Sequence, residues 1–232
     1  MNKTYGLMFK DEMIRAYIKK QKTQTRRLKG LETVNKYPDH WELLEIKRDT
    51  PQSDVRVIFR NLKDKKLHYT CRMPYGDTLD TLWFRETWRA WENQNSGEDF
   101  LLYRADNGKF QPFASDDPSW NLLVGKFNKW SSSMFMPHWA SRFWNVPILR
   151  VRVERLHDIT EADARAEGVT VPLNTKFPGI ETVNARLAYM QLWNTINGKS
   201  LPWKKNPWVF VYEFPEYDPK QVSKIHPHQE EK

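Results

Sequence analysis

Turn signals cut most of this chain into short β-forming runs, and that limits the folds open to it. WELLEIKR (41–48), DVRVIFR (54–60) and KLHYT (66–70) are separated by Asp49-Thr50-Pro51 and Lys63-Asp64-Lys65, as in an antiparallel meander. The turn Pro74-Tyr75-Gly76-Asp77 leads into LDTLWFRETW, whose apolar centre Leu82-Trp83-Phe84 predicts a buried strand. In PILRVRVERL (147–156), Leu149, Val151 and Val153 share one face and Arg150, Arg152 and Glu154 the other, as in a half-buried strand. WVFVYEF (208–214) has the strongest strand character of all.

Helical signals are few and short. DEMIRAYIKK, from a capping Asp11, places Ile14, Tyr17 and Ile18 on one face. Thr160 is the expected cap of an Ala-rich helix that leaves through Gly168, and a third helix is expected over 181–197, after a loop with Pro172 and Pro178, stopping at Gly198. Strands and long helices do not alternate, so the expected class is α+β, a mixed β-barrel with a few short helices rather than a parallel α/β sheet. From about 91 to 147 the chain reads as a long irregular insertion containing Trp120, Trp130, Trp139 and Trp144. With no repeat and no linker, 1–214 reads as one domain and 215–232 as a polar, flexible tail.

The chain has 11 Trp, 12 Phe and 9 Tyr within a hydrophobic content of 39%, so large rings must fill much of the core. Its net charge of +8 favours anionic partners, of which nucleic acid and nucleotides are the commonest. The single cysteine, Cys71, excludes an internal disulfide and a multi-thiolate metal site. No metal or cofactor is expected. Without a signal-peptide pattern or a run of about 18 apolar residues, a soluble cytoplasmic protein with no membrane partner is expected.

The stretch Lys20-Gln21-Lys22-Thr23-Gln24-Thr25-Arg26-Arg27 concentrates the chemistry. Thr25 lies three positions after Lys22, so a lysine freed of its proton by burial could serve a hydroxyl nucleophile, while Arg26 and Arg27 could grip a phosphate or carboxylate. A solvated basic helix end would look the same. Elsewhere, Arg85 and Glu86 interrupt an apolar strand, either lining a cleft or joining a buried network. His138 sits among rings in a loop with no second ligand at metal spacing, and Trp139 could stack on a base.

Five segments in order resemble the ASCH domains of the PUA-like superfamily, particularly their larger phage and prophage versions. These are Lys22-Thr23-Gln24-Thr25-Arg26-Arg27; Pro74-Tyr75-Gly76 with 80–88; Met136-Pro137-His138-Trp139-Ala140-Ser141-Arg142; 151–164; and Leu192-Trp193-Asn194 through Trp208-Val209. The resemblance implies a PUA-like barrel surrounded by helices, with a cleft for RNA, a nucleoside or a modified nucleobase. Small members of the family hydrolyse N4-acetylcytidine with a lysine base, a threonine nucleophile and a glutamate proton donor, which here fall on Lys22, Thr25 and Glu167. Ligand contacts are expected from Arg26, Arg27, Arg85, Glu86, His138 and Trp139. Two family glycines are replaced, by Lys20 and Leu79. Two functions follow: hydrolysis of an N4-acylated cytidine, or binding of RNA or a modified base without chemistry.

Overall fold

A computed structural model describes residues 3–50, 53–92, 99–110, 129–170 and 184–219. In chain order the elements are β1 (Thr4–Met8), α1 (Asp11–Ile18), β2 (Gln24–Arg27), β3 (Trp41–Lys47), β4 (Arg56–Asn61), β5 (His68–Arg72), β6 (Thr81–Arg85), β7 (Trp88–Glu92) and β8 (Asp99–Tyr103). There follow β9 (Lys109–Phe110), β10 (Val146–Pro147), β11 (Arg150–Arg155), α2 (Glu161–Ala166), α3 (Ala185–Asn197) and β12 (Trp208–Glu213), with short 3-10 turns between. The chain is α+β. Its strands pair as four three-stranded sheets, β1-β6-β10, β11-β12-β2, β3-β4-β5 and β7-β8-β9, and among the described residues none closes into a barrel.

Contacts divide the chain into two compact units that interleave along the sequence: 1–3, 20–81 and 147–216 form the first, and 4–19, 82–146 and 217–232 the second. In the first unit the expected meander is β3-β4-β5, antiparallel throughout, with a bulge between Leu43 and Glu45. The other sheet is built around β12, whose residues Trp208 to Tyr212 are all buried. Successive side chains of a strand point to opposite faces. Val209 and Val211 therefore pack with Leu156, Ala164, Tyr189 and Trp193 of the α2/α3 layer, while Trp208 meets Phe59 and Tyr212 meets Tyr75. Burial of each such side chain contributes about 1.5–3 kcal/mol. Asn35 extends the sheet edge: its amide donates to the Trp208 carbonyl and accepts from the Trp208 N–H.

Helix α2 starts as its sequence dictates. The Thr160 hydroxyl accepts from the Asp163 N–H, and the Asp163 carboxylate accepts from the Thr160 N–H, a reciprocal capping box. Asn184 caps α3; the expected helical residues 181–183 and the loop with Pro172 and Pro178 lie outside the described residues. Leu149, expected on the buried face of the 147–156 strand, is 57% exposed, although its N–H still donates to the Glu213 carbonyl.

In the second unit, α1 buries Ile14, Ala16 and Tyr17, with Lys10 rather than Asp11 at its N-cap. Asp11 is the first helical residue, and its carboxylate accepts from Arg104 Nε at 2.6 Å. The buried strand expected at 82–84 is β6, alternating rather than continuous: Leu82 and Phe84 are buried and Trp83 is half-buried. The stretch from 91 to 147 is less irregular than its composition predicts, since Phe100-Leu101-Leu102-Tyr103 forms β8 between β7 and β9. The run is only a few residues long, which is why composition hid it; Trp120 lies outside the described residues. A core of Trp88, Ala90, Leu101, Tyr103, Met136 and Ala140 covers this sheet. Of the expected loose tail, Tyr217 packs edge-on against Tyr17 and Phe143, and residues beyond 219 are outside the description.

Candidate functional site

The site is assembled where β2 meets the end of α2, within the first unit. Lys22 bridges to Glu167 just ahead of β2, the Thr23 N–H donates to the Ala166 carbonyl at 2.8 Å, and the Phe214 N–H donates to the Thr23 carbonyl at 2.9 Å. Glu167 is the C-cap of α2, and Gly168 turns the chain with φ +84°, a region that suits glycine. Carbonyl and carboxylate of Glu167 thereby reach one ammonium. Lys22 Nζ donates to the Gln24 carbonyl at 2.7 Å, the Glu167 carbonyl at 2.9 Å and Glu167 Oε2 at 3.0 Å.

The basic stretch is thus not a solvated helix end: Lys22 is 0%, Thr25 3%, Arg26 6% and Glu167 5% exposed. Burial drives the Lys22 pKa below the ordinary lysine value; Glu167 pulls it up, and the Arg27 and Arg26 guanidiniums push it down again. Arg26 takes the second Glu167 oxygen (Nη1 to Oε1, 3.1 Å) and pairs with Glu154 through Nη2 at 2.7 Å, above the buried Tyr189 ring at 5.8 Å. Arg152, level with Arg26 across β12, pairs with Glu154, Asp163 and Glu213. Asp163 is held well below the usual carboxylate range although burial opposes this, because Gln24 Nε2 and Thr160 donate to it.

Thr25 lies opposite Tyr212 in the register, on the face of β2 away from Gln24 and Arg26. Its hydroxyl makes no hydrogen bond among the described residues, whereas the carbonyl preceding it, that of Gln24, is the one Lys22 holds. Arg27 shares the Thr25 face and is half-buried, and burial lowers its pKa. Beside this cluster is a cleft of about 440 Å³ lined by Thr23, Gln24, Asp163, Ala166, Glu213 and Phe214 among others.

The remaining expected ligand residues fall in the second unit. Both oxygens of Glu86 are occupied by Arg142, at 2.9 Å each, and Arg142 also forks onto Asp106 at 2.8 and 2.9 Å over the Tyr103 ring. With 0% exposure, Glu86 belongs to a buried ion network and presents no oxygen to a ligand. Arg85 stacks on Trp83 at 5.3 Å, His138 meets the same ring edge-on at 5.2 Å, and Trp139 packs edge-on against Trp88 at 6.1 Å.

Sequence reasoning overlooked Glu154, Arg152, Asp163, Tyr189 and Arg142. The signal for the first two was present in the charged face of the 150–154 alternation; the others are joined only by the tertiary fold. Among the described residues no group of His, Cys, Asp and Glu is arranged to hold a metal ion, and no helix is long and apolar enough to cross a membrane. No family model, curated protein or solved structure matches the chain.

Proposed function

We propose that the chain is a cytoplasmic, PUA-like ASCH-type domain whose Lys22, Thr25 and Glu167 hydrolyse the amide of an N4-acylated cytosine in a nucleoside or RNA. The observation that carries this reading is the buried Lys22–Glu167 pair: a lysine stripped of solvent, pressed by two guanidiniums and 3.0 Å from a carboxylate, three residues ahead of Thr25 in the strand pair Thr25–Tyr212. Burial moves the Lys22 pKa downward, the direction a lysine base requires.

In this reading the Thr25 hydroxyl turns from the face of β2 opposite Gln24 and Arg26 to reach Lys22 when substrate is bound, attacks the acyl carbonyl and passes its proton to neutral Lys22. The contact with Glu167 Oε2 relays the proton to the carboxylate, which delivers it to the departing N4 amine. Water then cleaves the acyl-threonine ester by the reverse relay, releasing the carboxylic acid. Arg27, on the Thr25 face, is the nearest candidate to steady the oxyanion or a phosphate.

One observation favours the second reading, binding without chemistry. Lys22 Nζ already donates to three acceptors, which suits an ammonium fixed in the fold. Incubation with N4-acetylcytidine, following release of cytidine by chromatography, separates the two. Turnover by the wild type, absent in Lys22→Met, supports hydrolysis; no turnover, with N4-acetylcytidine still bound, leaves the binding reading.

A further inference from the structure

Beyond β2 the first unit carries a basic face that the site above does not use. Lys29, Lys36 and Lys205 line a groove of about 600 Å³, and Lys199 and Lys204 line another of about 530 Å³. The loop 199–205 contributes to the wall of both, so the two grooves flank one lysine-bearing ridge. All five lysines are exposed, and among the described residues none is in an ion pair. One acid, Glu32, lines these grooves, with its Oε1 accepting from the Gly30 N–H.

The first groove also carries a stacking platform. Tyr37 is 65% exposed, and its ring lies parallel to His40, 12° between planes and 5.2 Å between centroids. An aromatic ring supported on one face and open to solvent suits the flat face of an unpaired base. A duplex hides its base faces, and a membrane surface would call for an apolar patch where this groove has lysines.

The geometry points to a track for single-stranded RNA along this face, with the lysines on phosphates and Tyr37 under a base. Lys29 follows β2 by one residue after Leu28, so the strand bound here runs up to the sheet that carries Thr25. The substrate class is then a nucleotide within an RNA strand, of which the free nucleoside is the minimal reacting fragment; this last step rests on the proposed hydrolysis, whereas the track does not.

The test is fluorescence anisotropy of a labelled unstructured oligoribonucleotide across a salt series. The Lys29→Ala/Lys36→Ala/Lys205→Ala variant should bind at least about tenfold more weakly, with the log–log salt slope reduced by about 2, at roughly 0.7 per lost phosphate contact. The corresponding triple Lys→Arg variant should keep the slope. Tyr37→Ala should lose roughly five- to hundredfold in affinity with the slope unchanged. Unchanged affinity and slope in the alanine variant, equal binding of a duplex, or equal binding of polyglutamate would overturn the track. Turnover of free N4-acetylcytidine should be the same in these variants as in wild type. Its absence throughout, with the binding results as expected, would remove the hydrolase and leave the track standing.

Discussion

Lys22 Nζ and Glu167 Oε2 lie 3.0 Å apart with 0% and 5% of their side chains exposed, so each charge depends on the other for what water would otherwise supply. Arg26 holds the other oxygen of the same carboxylate. The two partners are therefore unequal. Removing Glu167 leaves the buried Lys22 without a carboxylate partner, although Arg26 keeps Glu154, whereas removing Lys22 leaves Glu167 paired with Arg26. Glu167→Ala should cost about 3–5 kcal/mol. Lys22→Met should cost less, about 1–3 kcal/mol. Urea unfolding of both variants checks the order; equal losses would contradict it.

In the proposed hydrolysis the lowered pKa of Lys22 sets the pH dependence. A base works in its deprotonated form, so kcat/KM should rise with pH along a limb centred below 10.5, the ordinary lysine value. The cause is first burial and then the two guanidiniums, partly offset by Glu167. Arg27→Gln removes one of the cations that push the pKa down, so the limb should move to higher pH. A pH–rate profile of wild type and variant decides; a shift to lower pH would contradict the electrostatic account.

Glu86 governs a separate pH response. Burial pushes its carboxyl from 4.5 up to about 7, against the pull of Arg142, which is shared with Asp106. Between these pH values the folded chain keeps a proton that the unfolded chain has released, so stability falls as pH rises from 4.5 to about 7 and the loss is complete above. The difference amounts to about 3 kcal/mol. Glu86→Gln, uncharged at every pH, should remove this component from the stability curve. Parallel curves for the two proteins would count against it.

Lys20 has φ +59°, in the left-handed region that lysine enters at a cost. Lys20→Gly should gain up to about 1 kcal/mol, since glycine adopts this conformation without strain. Thermal and urea unfolding would show the gain, and a loss of stability would mean that the lysine side chain contributes more than its backbone costs.

Much of the fold was legible because its signals are local. The meander β3-β4-β5 follows from three β-forming runs and two turn clusters, and α2 from Thr160, Asp163 and Gly168, each of which acts within a few residues. The sheet β11-β12-β2 could not be read, because it pairs 24–27 with 210–213 and no local pattern encodes that register. The site shows the same division. Lys22, Thr25, Arg26 and Arg27 are adjacent in sequence and were found there, and Glu167 came only from the family pattern. The links of Glu154 and Arg152 on β11, across β12, and of Asp163 on α2 to the residues of β2 come only from the tertiary fold. Glu86 shows the converse: its charge within an apolar strand left a cleft and a buried network both open, and Arg142, 56 residues away, completes the network.

The central claim is that Thr25 cuts an acyl bond with Lys22 taking its proton. The rate of cytidine release from N4-acetylcytidine by wild type and by Thr25→Val, both shown to be folded, tests it most directly. Wild type should turn over, and the variant should be at least about a thousandfold slower because the nucleophile is gone. Equal rates in the two proteins, or no release by wild type at any pH, would contradict the account.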